Sequence, residues 1–151
     1  MIKRSLLAVM AFAVTTSAHS APEWVELPHS VGDASFLDHS SINVQGEYVD
    51  AEVLRNYGET IVLGNDPASG APMYAHRSVE LEYAVDCASR KVALKGWKMF
   101  EGNFGNGEVV WADTNWGKPA FVRASDEESR AVMISACATE LAASQTASPV
   151  N

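Results

Sequence analysis

The sequence has few of the residues on which catalytic and metal-binding motifs depend. Its four histidines include no pair at the i, i+4 spacing of a helical zinc site, and no H-E-x-x-H or G-x-S-x-G segment occurs. The four, His19, His29, His39 and His76, are therefore interpreted as signal-segment, turn or surface residues. The sequence predicts no enzyme activity, no metal site and no cofactor.

Basic residues are also scarce. The chain carries 11 lysines and arginines against 19 aspartates and glutamates, which gives a net charge of −8 at pH 7. Nucleic acids and anionic membrane surfaces attract proteins through clustered positive charge. The acidic balance therefore argues against both as general partners.

Only one long hydrophobic run occurs, and it lies near the N-terminus. Leu6–Val14 is apolar throughout, follows two basic residues and precedes small residues that a signal peptidase accepts. As a helix this run spans about 13.5 Å, well short of a hydrocarbon core of about 30 Å. Residues 1–20 are therefore predicted to be a signal peptide, cleaved after Ser20 or Ala18, and no transmembrane anchor is expected.

Cysteine is limited to Cys87 and Cys137. Neither lies near the predicted cleavage site, where a bacterial lipid anchor requires a cysteine. We therefore expect an exported protein, periplasmic or secreted, that is not lipid-anchored. The two cysteines also lack the C-x-x-C spacing that is typical of redox catalysts.

Without residues 1–20 the chain has 131 residues, and its net charge becomes −10 because the signal contains two basic residues and no acidic one. This length is typical of one domain, and no internal repeat is found. The domain is predicted to span residues 21–141. Residues 142–151 are small and polar and are predicted to form a flexible tail.

The first half of the predicted domain has the alternation of short strands. The predicted strands are Trp24–Leu27, Ser35–Leu37 and Tyr48–Tyr57, with a turn at Asp38–Ser41 and a hairpin turn at Gln45–Glu47. A long loop is predicted at Gly58–Met73. Long ordered loops often carry binding sites, but a merely mobile connection is the alternative.

A second hairpin is predicted from a strand in which apolar and acidic residues alternate, Val79–Cys87. On the following strand, one extra residue at Gly96, a β-bulge, brings Trp97 and Met99 into phase with the apolar face. Each lysine of that strand is then predicted to face an acidic residue of the first. The pairs are Lys91 with Asp86, Lys95 with Glu82, and Lys98 with Glu80.

Cross-strand pairing explains a basic cluster that could otherwise be interpreted as a site for acidic glycans or for a protein partner. Such pairs contribute about 0.2–1 kcal/mol each. Arg90, in the loop between the strands, is left without a neighbour. It is therefore a candidate binding residue.

Four aromatic residues complete the candidate binding surface. Phe104 lies at the tip of Gly102–Gly107, which lacks the Lys-Ser/Thr of a P-loop and is predicted to be a hairpin connection. Its ring either meets a partner or folds back onto the sheet. Trp97, Trp111 and Trp116 either line a ligand groove or complete a core.

One helix is predicted near the C-terminus. Ser125 and Glu128 match a capping box at its start. At about 100° per residue, an apolar stripe follows the cap, with Cys137 near its middle. Its members are Met133, Ile134, Cys137 and Leu141.

Both cysteines are predicted to face the interior between sheet and helix. In an exported protein this favours a disulfide between Cys87 and Cys137, which would contribute about 4 kcal/mol by the chain-entropy estimate. A pair of free thiols or a catalytic cysteine is the alternative. No activating histidine is adjacent in the sequence.

Several short motifs are informative through their order along the chain. They are Trp24-Val25, Phe36-Leu37-Asp38, Ser40-Ser41-Ile42, Val53-Leu54 with Tyr57, Glu80 through Tyr83, Asp86-Cys87, Gly107-Glu108-Val109-Val110, Trp116 and Cys137. With the two cysteines, they resemble the bacterial surface-adhesin protein E-like family over about residues 24–138.

The resemblance implies an α+β fold with an antiparallel β-sheet of about six strands. One C-terminal α-helix is expected to pack on one face of the sheet and to be tied to it by the disulfide. The resemblance also implies an exported protein of Gram-negative bacteria that binds host matrix proteins such as vitronectin and laminin and can form a homodimer.

Two functions are hypotheses at this point. The first is a non-enzymatic, adhesin-like module that contacts extracellular-matrix or envelope proteins. The second is a periplasmic protein that binds a small molecule in a groove lined by the tryptophans. The absence of a lipid-attachment cysteine, which a surface-anchored adhesin would carry, separates this chain from the family pattern.

Overall fold

The computed structural model of the chain describes residues 21–28, 34–114 and 117–146, without the side chains of residues 143, 144 and 146. The predicted signal peptide lies outside these residues. So do His29, Trp116 and the last five residues of the predicted tail.

Seven antiparallel strands form one sheet in this part of the chain. They are β1 (Trp24–Leu27), β2 (Ala34–Gln45), β3 (Tyr48–Ile61), β4 (His76–Asp86), β5 (Lys91–Phe100), β6 (Val109–Asp113) and β7 (Val122–Arg123). The first six lie side by side in chain order, and β7 pairs with the start of β5. The helix α1 (Glu127–Thr146) packs against the sheet. The predicted fold class, sheet and C-terminal helix are confirmed.

Alternating side chains give the sheet two different faces. On β4, Leu81 and Val85 are buried on the side that α1 covers, and Val53 of β3 and Val132 of α1 belong to the same apolar core. We call this side the helix face. The opposite side, which we call the open face, carries the charged side chains of β3, β4 and β5.

The predicted bulge at Gly96 is confirmed. Glu82 pairs with Gly96 and Tyr83 pairs with Leu94, so Lys95 is the extra residue on β5. A Cβ atom on Gly96 would lie 2.8 Å from the Cα atom of Thr114, so the close approach of these backbones requires glycine.

Helix α1 presents a different side to the sheet from the one predicted. Val132 and Ala136 are buried, whereas Ile134 is 64% and Leu141 is 62% exposed. The predicted stripe is therefore wrong at two of its four positions. Buried positions instead recur every four residues from Glu128, which is itself 1% exposed. An apolar pattern cannot reveal this face, because its first buried residue is charged.

The N-cap of α1 is Asp126, not Ser125. The helix begins at Glu127, and Asp126 Oδ1 accepts a hydrogen bond of 2.8 Å from the backbone N–H of Ser129. Burial opposes ionisation of Asp126, but the hydrogen bonds from Ser129 lower its pKa. The predicted capping box is wrong because the Glu128 side chain points toward the sheet.

The predicted disulfide is confirmed. Cys87 follows β4 directly, and its sulfur is bonded to that of Cys137 in α1, with 5.6 Å between the Cα atoms. The bond joins residues 50 positions apart. It therefore fastens the C-terminal helix to the central part of the sheet, and it excludes the alternative of free thiols.

The prediction that a strand ends in a turn at Asp38–Ser41 is wrong, because β2 continues through these residues to Gln45. The pairing of β2 with β3 shifts between Asp38 and Asn43. Asp38 Oδ1 accepts hydrogen bonds of 2.8 Å from the backbone N–H groups of Ser40 and Glu23. The local hydrogen bonds expected of a turn thus form inside an irregular strand.

The segment after β3 begins later than predicted and contains backbone hydrogen bonds of its own. The strand includes Gly58 and ends at Ile61. Beyond it, the backbone N–H of Asp66 donates to Ala71 O at 2.8 Å, and that of Met73 donates to Gly64 O at 2.9 Å. At the other end of the chain, α1 extends beyond residue 141, where the predicted tail begins.

Candidate functional site

Two of the three lysines of β5, Lys95 and Lys98, form the predicted ion pairs on the open face. Lys95 Nζ lies 2.8 Å from a carboxylate oxygen of Glu82 and 3.0 Å from one of Asp50. Lys98 pairs with Glu80, and this hydrogen bond raises the pKa of Lys98. Lys91 lies opposite Asp86 in the strand register. Lys95 and Lys98 are therefore not part of a free basic patch, and Lys91 has the predicted register but no ion pair in the described residues.

Glu52 lies among the same charged residues of the open face, where its ionised form is disfavoured. Burial raises its pKa, and the negative charge of Glu80 adds to this effect. Among the described residues, Glu52 forms no ion pair of its own.

Two of the predicted binding residues, Trp97 and Trp111, are in contact. Their ring centroids are 6.0 Å apart, and the ring of Tyr74 lies 4.4 Å from that of Trp111. Trp111 belongs to β6, at the edge of the sheet, and is 40% exposed. We call Tyr74, Trp97 and Trp111 the aromatic surface. Tyr74 was not singled out in the sequence because it follows a loop and has no strand periodicity.

The aromatic surface is not a groove of metabolite size at Trp97. The cavity that Trp97 borders, together with charged residues of the open face, has a volume of about 20 Å³. This is room for about one water molecule. The predicted alternative of an aromatic-lined ligand groove gains no support from this cavity.

Phe104 lies on the opposite face of the sheet from Trp97 and Trp111. Its backbone N–H donates to Asn56 Oδ1 at 2.7 Å, and its ring centroid lies 5.7 Å from that of Phe36. Ser78 holds the same loop, donating its hydroxyl to Gly102 O at 2.6 Å. The loop is the predicted hairpin connection and folds back onto the sheet, yet Phe104 remains 59% exposed.

Arg90 occupies a third location, in the turn between β4 and β5. Its backbone has a φ of 56°, in the left-handed region. Arg90, Arg123 and Arg130 border one cavity of about 370 Å³. The structure thus separates the predicted binding residues into three places, and Trp116 lies outside the described residues.

A buried polar cluster beneath α1 was missed by the sequence reasoning. Glu128 accepts hydrogen bonds from Arg55 Nη2 at 2.6 Å, from Ser35 Oγ at 2.6 Å and from the Tyr83 hydroxyl at 3.3 Å. Burial opposes the charge of Arg55, but its hydrogen bond to Glu128 raises its pKa. Burial raises the pKa of Tyr83, and the charge of Glu128 adds to this.

This cluster is structural rather than reactive, because both oxygens of its carboxylate are occupied by protein donors. One signal was available in the sequence. Arg55 continues the apolar phase of β3 after Val49, Ala51 and Val53. An arginine in such a position requires a buried acidic partner.

In the described part of the chain, no three His, Cys, Asp or Glu side chains are grouped closely enough to hold a metal ion. Nor does any described helix combine the length and apolar content needed to cross a membrane.

The family model described as surface-adhesin protein E matches residues 24–138, which include every described strand, both cysteines of the disulfide and the first half of the helix. The chain belongs to the surface-adhesin protein E family. Membership in this family makes it an adhesin-like surface protein, and therefore an exported one. No curated protein gives a significant match.

Solved structures of protein E from Haemophilus influenzae share the fold. Crystal form II of that protein E is 16% identical, with a TM-score of 0.55 over 82% of this chain and 98% of that chain. Protein E from non-typeable Haemophilus influenzae is 15% identical, with a TM-score of 0.52 over 85% of this chain and 95% of that chain. At this identity the likeness concerns the protein E fold alone.

Proposed function

We propose that this protein is an exported, non-enzymatic, adhesin-like module that binds a protein of the extracellular matrix or of the bacterial envelope through its aromatic surface. Matrix proteins such as vitronectin and laminin are the partners suggested by the resemblance to the family. Residues 1–20 are proposed to direct export as a cleaved signal peptide, with no lipid anchor on the mature chain.

The observation that carries this proposal is the placement of Trp111. Its side chain is 40% exposed and rests on Tyr74 and Trp97, so it is held in place and still available to a partner. Tryptophan and tyrosine are enriched among the residues that dominate protein–protein binding energy. A supported ring loses little conformational freedom on binding.

The position at the sheet edge adds a second means of recognition. In the described residues, β6 pairs with β5 on one side only. An edge strand offers unpaired backbone N–H and C=O groups, to which an extended segment of a partner can add. A second copy of this chain could pair in the same way, which would give the homodimer that the family resemblance suggests.

The test is binding of the mature, disulfide-bonded protein to immobilised vitronectin and laminin. Trp111→Ala is expected to weaken binding about tenfold or more, as at an interface hot spot. Phe104→Ala is the matched control, because it removes an aromatic ring that is more exposed and lies on the other face. Equal binding by both variants and the parent protein, with unchanged circular dichroism, would refute the proposed surface.

Display at the cell surface is tested separately in the source bacterium. A membrane-impermeant label applied to intact cells should modify the protein. Confinement to the periplasm would leave an envelope protein as the partner and would remove matrix proteins from consideration.

A further inference from the structure

The second surface of interest is the cavity of about 370 Å³ that Arg90 borders. Its wall comes from three separate parts of the chain: the β4–β5 turn, the β7 segment and the first turns of α1. The lining residues are Ser89, Arg90, Arg123, Ala124, Arg130 and Met133. Three arginines thus converge on one cavity in a protein whose net charge is −8.

These three arginines have no acidic ion-pair partner, a property that they share with Arg77, Lys91 and Lys118 among the described basic residues. Arg55, Lys95 and Lys98 all form ion pairs. In the described residues, none of the guanidinium groups of Arg90, Arg123 and Arg130 forms an ion pair or a hydrogen bond with a side chain. Charge balance within the fold therefore does not explain why they are together.

Two acidic residues near these arginines in the sequence, Asp86 and Asp126, accept hydrogen bonds from serines, whereas Glu127, three positions before Arg130, forms no ion pair in the described residues. Asp86, at the start of the turn that carries Arg90, accepts hydrogen bonds from Ser89 N at 2.9 Å and Ser89 Oγ at 2.6 Å. Asp126, one helical turn before Arg130, accepts the capping hydrogen bonds of Ser129. Neither carboxylate forms an ion pair with an arginine of the cavity.

The wall of the cavity is held in position by the fold. Arg123 pairs with Lys91 in the β5–β7 ladder, directly beside the turn that carries Arg90. The disulfide connects Cys87, in the same turn, to Cys137 of the helix that carries Arg130. The three parts of the wall are thus joined by backbone pairing and by a covalent bond.

Arg90 also adopts a backbone conformation that is unfavourable for its residue type. At a φ of 56°, glycine or asparagine would be accommodated with less strain. Strained residues are concentrated at functional sites, where the side chain is needed despite the strain. Tyr74 and Phe104 lie in the same region, at φ values of 51° and 56°, so it is the place of Arg90 in the cavity wall that marks its guanidinium group.

We infer that this cavity binds a phosphate or sulfate group carried by a small polar molecule. Guanidinium groups present planar pairs of N–H donors that match the oxygens of such anions, and a doubly charged anion offsets the mutual repulsion of three arginines. A volume of about 370 Å³ exceeds that of the anion alone and leaves room for a sugar-sized substituent beside Ala124 and Met133.

The inference is tested by calorimetric titration of the mature, disulfide-bonded protein with glucose 6-phosphate, glucose 6-sulfate, inorganic phosphate and glucose. The charged probes are expected to bind, to raise the melting temperature and to bind more weakly at high salt. Glucose is expected to show no binding. The relative affinities for phosphate, the phosphorylated sugar and the sulfated sugar identify the preferred source of the anion.

Two substitutions make the test specific. Arg130→Gln, at an exposed helix position, is expected to weaken binding of the preferred anion about tenfold, as for the loss of one charge-assisted hydrogen bond. Lys91→Gln is the matched control, because it removes the same charge next to Arg90 without lining the cavity. It is expected to leave binding within about twofold of the parent.

The outcomes are decisive in either direction. If none of the charged probes binds at millimolar concentration, the inference is wrong. It is also wrong if Lys91→Gln weakens binding as much as Arg130→Gln, because a diffuse positive field would then be responsible. Trp111→Ala is expected to retain anion binding, so this result is independent of the proposed adhesin surface.

Discussion

Arg55 and Glu128 are joined by two parallel hydrogen bonds, with Arg55 Nη2 2.6 Å from Glu128 Oε1 and Arg55 Nε 2.9 Å from Oε2. The carboxylate side is 1% exposed and the arginine side is 23% exposed. The pair fixes the first turn of α1 over the centre of the sheet. It is therefore the point at which the rotation of the helix is decided.

We expect Arg55→Met to destabilise the protein by about 3–5 kcal/mol, because it leaves the buried Glu128 carboxylate without a counter-charge. The double variant Arg55→Met/Glu128→Met should lose less unfolding free energy than the single variant, since it removes both charges. Urea unfolding measures both values. Lys98→Met, which breaks an exposed pair, is the control and should cost at most about 1 kcal/mol. A single variant no worse than this control would show that the buried pair is not important for stability.

The disulfide should account for a large share of the stability. Replacing Cys87 and Cys137 together by alanine is expected to cost about 2–5 kcal/mol, because the unfolded chain gains the freedom that the closed loop denies it. Thermal unfolding with and without reductant gives the same comparison in the parent protein. The double alanine variant should not respond to reductant, and a parent that also fails to respond would contradict the expectation.

The N-cap of α1 gives a prediction that separates two assignments. Asp126→Ala is expected to cost about 1 kcal/mol because Ser129 loses its acceptor, whereas Asp126→Asn should be nearly neutral. Ser125→Ala should change stability by less than about 0.5 kcal/mol. If Ser125→Ala costs more stability than Asp126→Ala in urea unfolding, the capping box predicted from the sequence is correct after all.

The same cap should contribute to acid sensitivity. The pKa of Asp126 is lowered in the folded state, so its contribution is present above the unfolded pKa of about 3.9 and disappears as the pH falls through the folded value. Asp126→Asn should therefore show a shallower loss of stability on acidification. If this variant loses stability at low pH in the same way as the parent protein, other carboxylates determine the acid sensitivity.

Glu52 is expected to behave in the opposite sense. Its pKa is raised by burial and by Glu80, so the folded state favours the protonated form and stability decreases as the pH rises through the folded pKa. Glu52→Gln should therefore stabilise the protein at pH 7 by less than about 1 kcal/mol, with a smaller gain at low pH. Glu47→Gln, in the exposed hairpin turn, is the control, and equal effects would contradict the role of the open-face charges.

Much of the fold could be predicted because side-chain alternation and cysteine placement are direct consequences of one buried sheet face. The β4–β5 register, the Gly96 bulge and the disulfide all follow from this rule. The rotation of the helix does not follow from this rule, because a glutamate such as Glu128 is expected on the surface. Only the partner Arg55, far away in the chain, makes its burial favourable.

The candidate sites were predictable only in part. Trp97 and Trp111 were identified from their size and strand position, but their contact with Tyr74 depends on how the loop after β3 returns. Arg90, Arg123 and Arg130 border one cavity only because of the position of β7, and this strand of two residues is too short to show a periodicity. Convergence of distant segments of this kind is a property of tertiary structure.

The chain-order arrangement of β1 to β6 has a consequence for how the protein matures. Because each of these strands after β1 pairs with the one just before it, we expect the sheet to assemble progressively as the polypeptide is exported. The complete helix and the sulfur bridge must wait until Cys137 has emerged. Protease treatment of arrested export intermediates should therefore find a chain halted before Cys137 more vulnerable than one halted after it.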